Sequence, residues 1–172
     1  KVEKIKRALE KFGGIPGRME YIDEGQDFTV VVDYAHTTDS LQNVYEVFRG
    51  SNKICVLGAA GGGRDTWKRK IMGAIANTHC STIILTNEDP YDENPLEIVY
   101  NIQKGVSRPI SKIIINRREA IREALTKAKT GDTVVITGKG SEPYIMGPSG
   151  VKIPWSDARV TREELRKVLG KN

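Results

Sequence analysis

The stretch KICVLGAAGGGRDTWKRKIMGAIANTHCSTIILTN, Lys53–Asn87, decides the fold. It begins and ends in short continuous apolar runs, KICVLGAA (Lys53–Ala60) and STIILTN (Ser81–Asn87). Continuous rather than alternating apolar residues mean strands covered on both faces. Between them Asp65–His79 reads as a helix, with Trp67, Ile71 and Ile75 on one side. Strand, glycine turn, helix and strand make a βαβ unit, whose strands are parallel.

The same unit repeats outward. Phe28–Ala35 (FTVVVDYA) is a β-branched strand, followed by a helix over Asp39–Arg49 with Leu41, Val44, Tyr45 and Phe48 on one face. Downstream come a helix over Asn94–Val106 with Pro95 in its first turn, a strand at Ser111–Arg117, a helix over Arg118–Lys129 and a strand at Asp132–Gly140. Arg18–Ala35 reads as a hairpin turning at Glu24-Gly25-Gln26. Tyr144–Asp157 reads as a small ribbon around Gly-Pro-Ser-Gly, and Thr161–Leu169 as a last helix. The fold class is α/β: a Rossmann-like three-layer sandwich, mostly parallel, with an antiparallel hairpin at the start and a small ribbon near the end. Residues 1–14 read as a linker or helix from an upstream domain, and residues 15–172 as the domain proper.

The 172 residues carry 27 Lys+Arg against 22 Asp+Glu, a formal charge of +5. This fits a protein that handles anions. It fits nucleic acid less well, because the basic residues are scattered and few aromatics lie among them. No run approaches the ~20 apolar residues of a membrane span, and no continuous apolar segment marks a signal peptide. Cys55 lies inside an apolar run and Cys80 stands apart, so both read as unpaired residues of a reducing cytosol. The expected location is cytoplasmic. His36 and His79 are too far apart in sequence to suggest a metal site.

In an open parallel sheet ligands bind beyond the carboxyl ends of the strands. Here those ends run into DYAHTTDS, GAAGGGRDTWKRK, NEDPYDENP and GKGSEPY, a concentration of glycine, proline and charge on one rim. The glycine-rich turn lets backbone N–H groups approach a ligand, and Arg64 can grip a carboxylate or phosphate; the same segment also reads as a tight turn with Arg64 in water. It is neither a Walker A loop nor GxGxxG, so it supplies no sufficient ATP cradle. Asp33 and His36 can contact a ribose, base or phosphate, or belong to the capping of the next helix by Thr38 or Asp39. Glu88 and Asp89 precede the Asp92/Asn94 cap and lie where a substrate ammonium could meet them. Glu142 is placed for the same task.

IPGRMEYID, VDYAHTTDSL, GAAGGGRDTWKRKIMG, TNEDPYDENP and GDTVVITGKGSE occur in this order. Together they resemble the carboxyl-terminal domain of the Mur ligases, the MurE-type tripeptide synthetases in particular. The resemblance implies ATP-dependent amide-bond formation. The carboxylate of UDP-MurNAc-dipeptide is phosphorylated, and the amine of a diamino acid displaces phosphate. It implies ATP and Mg²⁺ in a full-length enzyme, with the Walker loop and metal ligands in a central domain and neither cofactor held stably by this chain alone. The implied partners are those substrates and the N-terminal and central domains, with no nucleic acid and no membrane. Arg18, Asp33, Tyr34 and His36 would lie at the nucleotide, and Arg64, Glu88, Asp89, Pro90, Tyr91, Gly138 and Glu142 at the amino acid. Ligases adding diaminopimelate have DNPR where this chain has EDPY, Glu88–Tyr91, and GKGHE where it has Ser141. Tyr91 in place of the arginine, with extra acids, points to lysine or ornithine. A stand-alone nucleotide- or amino-acid-binding module, or an amino-acid polymer ligase such as cyanophycin synthetase, stays open.

Overall fold

The computed structural model describes residues 2–10, 13–63, 65–109 and 111–171. Alternate residues of each central strand feed different cores, as a pleated strand requires. On β3 (Lys53–Leu57), Cys55 and Leu57 join a core with α2 (Thr38–Val47), α3 (Thr66–His79) and α4 (Pro95–Gln103). Ile54 and Val56 join the opposite core with α5 (Arg117–Lys127) and α6 (Asp157–Val168). Ile83 and Leu85 of β4 (Thr82–Leu85) and Val135 of β6 (Thr133–Thr137) follow the first group. Ile84, Val134 and Ile136 follow the second. Two apolar faces on one sheet require helices on both sides, which is the three-layer sandwich the continuous runs predict.

The six-stranded sheet has the order β1-β2-β6-β3-β4-β5, with β1 at Glu20–Tyr21, β2 at Thr29–Asp33 and β5 at Ser111–Ile113. Only β1 is antiparallel, pairing Glu20 with Val32 and Tyr21 with Val31, so the predicted hairpin is present. β7 (Tyr144–Met146) and β8 (Lys152–Pro154) form the separate antiparallel ribbon. The first helix, α1, spans Val2–Glu10, with Val2 and Ile5 exposed. Among the described residues no helix is long and apolar enough to cross a membrane.

Four local expectations need correction. The α2 cap is Thr37, not Thr38 or Asp39: its side chain accepts from the Ser40 N–H while Ser40 returns a bond to the Thr37 N–H. α6 begins at Asp157 rather than Thr161, because Ser156 caps it and Ala158 and Val160 enter the core. On α3, Trp67 and Ile71 face outward, Trp67 with 66% exposure; the buried side is Arg69, Met72, Gly73 and Ala76. The reason is a close helix contact. A Cβ on Gly73 would lie 2.0 Å from the Ile102 carbonyl oxygen, and one on Gly105 would lie 2.0 Å from that of Lys70.

The fourth correction concerns the cysteines. Cys55 and Cys80 form a disulfide across 25 residues of sequence, with Cα atoms 6.1 Å apart. The βα unit brings the end of α3 back beside β3, a proximity that spacing alone does not reveal. The step from unpaired thiols to a reducing compartment therefore falls. By loop-closure entropy such a link stabilises the fold by about 3–4 kcal/mol.

Two outcomes follow from this packing. Thiol titration of denatured, unreduced protein should find no free cysteine, and two after reduction. Gly73→Ala should cost about 1–3 kcal/mol in urea unfolding, because backbone rather than a flexible side chain blocks the new methyl.

Candidate functional site

β2, β6, β3 and β4 run parallel, so their carboxyl ends share one rim. A cavity of about 320 Å³ opens there, lined by Tyr34 and His36 after β2, Glu88, Asp89 and Tyr91 after β4, and Gly138 and Glu142 after β6. Gly61, Asp65 and Lys68 close its remaining side. Four segments distant in sequence thus meet at one place. Pro90 supplies structure here rather than lining: a Cβ on Gly61 would sit 2.1 Å from its carbonyl oxygen, and the Gly61 N–H donates to the Asp89 carbonyl at 2.7 Å. Arg64 lies outside the described residues. Next to it, the Gly63 N–H donates to Glu93 at 2.6 Å.

The acids on this rim are not equivalent. Lys139, fully buried at 0% exposure, points its ammonium at both oxygens of Asp89, each at 2.7 Å, and also donates to Glu142. Asp89 further accepts the Met146 N–H at 2.8 Å, which ties the β4 turn to the ribbon. The neighbouring Tyr91 N–H donates to the Met146 carbonyl at 3.0 Å, and Tyr91 takes a left-handed φ of 50°. Asp89 is therefore committed to the protein. Lys139 and Tyr34 hold Glu142 ionised, its carboxyl below the usual range despite the opposing effect of burial.

Glu88 differs. It is 4% exposed, and its Oε2 has no hydrogen-bond partner among the described residues. Two glycines make its space: a Cβ on Gly138, φ +113°, would lie 2.4 Å from Oε2, and one on Gly58 would lie 2.9 Å from the Glu88 Cβ. Burial pushes its carboxyl up to about 7, against the favourable field of Arg117.

On the side assigned by resemblance to nucleotide, Arg18 stacks its guanidinium 4.8 Å from the Tyr34 ring centroid. The Tyr34 hydroxyl donates to Glu142 at 2.6 Å, and that bond, with burial, raises the phenol to about 12. His36 Nδ1 donates to the Tyr34 carbonyl at 2.9 Å, leaving Nε2 for another partner. Asp33 is occupied by the backbone: Oδ2 accepts from Met19 and Oδ1 from Ala35, both at 2.8 Å. It shapes the loop that presents Tyr34 and His36.

Three buried cations at or beside the rim escaped the sequence reading. Lys139 reads as a residue between loop glycines. Arg69 reads as one of several charges on α3, yet it forks onto Glu93 at 2.8 and 3.1 Å and donates to the Ala60 carbonyl, fastening the glycine-rich turn. Arg117 pairs with the buried Asp157 at 2.7 and 2.8 Å and donates to the Asn87 and Thr137 carbonyls, bracing the ends of β4 and β6. The only signal for these is the unlike charges far along the chain, and one sequence does not match them up.

The state of Glu88 is visible in stability. Its ordinary value is 4.5 and its native value about 7. As pH rises through that interval the unfolded chain loses its proton first, so this carboxyl costs stability above it and nothing below it. Glu88→Gln should therefore be more stable than wild type by about 1–3 kcal/mol at pH 8 and equal to it at pH 4, measured by chemical denaturation.

Residues 17–140 match the family of the Mur ligase, glutamate ligase domain. A UDP-N-acetylmuramoyl-L-alanyl-D-glutamate–2,6-diaminopimelate ligase of Syntrophomonas wolfei is 44% identical over 168 residues, 94% of this chain and 34% of that protein. The ligase of the same name from Aquifex aeolicus is 46% identical over 166 residues, 94% of this chain and 33% of that protein. A solved structure of a ligase so named superposes with a TM-score of 0.81 at 32% identity, covering 97% of this chain and 35% of that one. The chain thus spans about a third of the length of the relatives it matches. Its sheet order, its rim and these matches together show that the chain belongs to the Mur ligase family, as the glutamate ligase domain of the MurE type.

Proposed function

We propose that this chain is the amino-acid-binding domain of an ATP-dependent ligase that adds a diamino acid to UDP-MurNAc-dipeptide during peptidoglycan precursor synthesis. The observation that carries the reading is the rim cavity, where Glu88, Gly138 and Glu142 meet beneath the glycine-rich turn. A half-open cavity of this size lined by four carboxylates suits a small cationic molecule. The relatives described above are named for the acceptor UDP-N-acetylmuramoyl-L-alanyl-D-glutamate and for 2,6-diaminopimelate.

ATP supplies the phosphoryl group that turns a carboxylate into a reactive acyl donor. The residues of this chain fit only part of such a ligand. Arg18 offers charge and His36 a ring nitrogen, each packed against Tyr34. No GKS or GKT loop occurs, and among the described residues no three His, Cys, Asp or Glu side chains converge to hold a metal. The reading therefore assigns the phosphates and Mg²⁺ to a central domain, and this chain to holding and orienting the amine. Orientation alone lowers the barrier substantially, because the two reactants no longer have to find each other. The chain by itself is inactive in this reading. Its location is the cytoplasm, since ATP and the nucleotide-linked precursor are both found there.

Tyr91 bears on which diamino acid is used. Resembling ligases for diaminopimelate carry arginine at this place, and a tyrosine cannot clamp a distal carboxylate with paired N–H groups. Lysine or ornithine is favoured, although the matched relatives are named for diaminopimelate. The test is ATP-dependent incorporation of lysine, ornithine and diaminopimelate by the full-length ligase. Lysine or ornithine should exceed diaminopimelate about tenfold or more in kcat/KM. Preference for diaminopimelate would overturn this choice alone, whereas no incorporation of any diamino acid would overturn the whole reading.

A further inference from the structure

We propose that Tyr34 is a positioning residue for the amine side of the site: its hydroxyl fixes the Glu142 carboxylate in the orientation that meets the substrate ammonium. This rests on the reading that the cavity takes a diamino acid. The resemblance groups Tyr34 with the residues around the nucleotide. Its ring does lie among them, with the Arg18 guanidinium 4.8 Å from its centroid and the His36 ring 4.6 Å away. Its hydroxyl is committed elsewhere. It donates to Glu142 Oε1 at 2.6 Å, across 108 positions of sequence. Both side chains line the cavity.

Glu142 needs such a partner. Its side chain is 39% exposed, on a loop that carries two glycines of left-handed φ, Gly138 and Gly140. Lys139 donates to its Oε2 alone. An ammonium has three donors, and the others go to the two oxygens of Asp89. A carboxylate held through one oxygen can swing about that contact; held through both, it cannot. It has about four acceptor positions, so two bonds still leave room for a substrate N–H.

Tyr34 is the rigid end of the pair. Asp33 sets the backbone around it by accepting the Met19 and Ala35 N–H groups, and His36 Nδ1 lies 2.9 Å from the Tyr34 carbonyl oxygen. The Gly140 main chain lies against it so closely that a Cβ there would sit 2.5 Å from the Tyr34 Cβ. The bond to Glu142, with burial, raises the phenol to about 12, so the hydroxyl stays a donor wherever Glu142 is ionised.

The experiment measures steady-state kinetics of the full-length ligase, wild type and Tyr34→Phe, with ATP and whichever of L-lysine, L-ornithine and diaminopimelate wild type ligates best. Phenylalanine keeps the ring against Arg18 and His36 and removes the hydroxyl alone. KM for the diamino acid should rise about tenfold, the usual worth of a hydrogen bond to a charged group. Both kcat and KM for ATP should stay within about twofold, as for a lost binding contact. Glu142→Asp, too short to reach the hydroxyl, should raise the same KM, and adding Tyr34→Phe to it should change nothing further. Calorimetric titration of the diamino acid replaces KM where a variant turns over too slowly, and thermal melts confirm that each variant is folded. An unchanged KM for the diamino acid in Tyr34→Phe, a rise confined to ATP, or full additivity with Glu142→Asp overturns the inference and leaves the ligase reading intact. A wild-type enzyme that ligates no diamino acid removes both.

Discussion

A fully buried ammonium must find carboxylates or give up its charge, and Lys139 finds them on two loops. Through Asp89 it draws in the turn after β4, and through Glu142 its own loop after β6. Tyr34 carries the linkage to the loop after β2. Each of these loops alone is a surface connection free to wander. Joined through one cation they hold a fixed spacing, and the cavity is that spacing. Arg69 and Arg117 apply the same device one layer further out, on the glycine-rich turn and on the strand ends. The rim is thus assembled from buried ion pairs whose geometry, more than their net energy, matters.

Much of the fold was legible because its determinants are local. Runs such as Val134–Ile136 and Ile83–Leu85 announce strands buried on both faces, and Asn94-Pro95 announces a helix start. Features set by tertiary contact are not legible in this way. The apolar spacing of Trp67 and Ile71 suggested the inner face of α3, but the approach of α4 at Gly73 rotates the helix so that smaller residues and Arg69 lie inside. The same holds at the site. Strand-end topology brings Glu88, Asp89 and Glu142 to one rim, yet nothing in TNEDPY says that one acid pairs with a lysine 50 positions away while its neighbour has an oxygen unpaired among the described residues.

The disulfide teaches a related lesson. Cys55 behaves in sequence as a small core hydrophobe, and it does occupy the core, but bonded to Cys80. A cytoplasmic reading consequently draws no support from the thiols and rests on the nature of the proposed substrates. Cytoplasmic disulfides are rare outside hyperthermophiles. Both cysteines of the bond are buried in the core against α2, α3 and α4, where access by a reductant is poor.

Gly61 and Gly138 shape the cavity wall, and Gly58 the seat of Glu88 behind it, by what they omit. Any replacement brings in at least a methyl group, and at Gly61 that carbon lands on main-chain atoms that have no rotamer to yield. Codon by codon, then, these positions allow no small step: the first change at Gly61 meets the Pro90 carbonyl, and the first at Gly138 meets the Glu88 carboxylate. A mutagenesis library meant to shift amino-acid preference would do well to hold these three positions constant and vary the side chains around them.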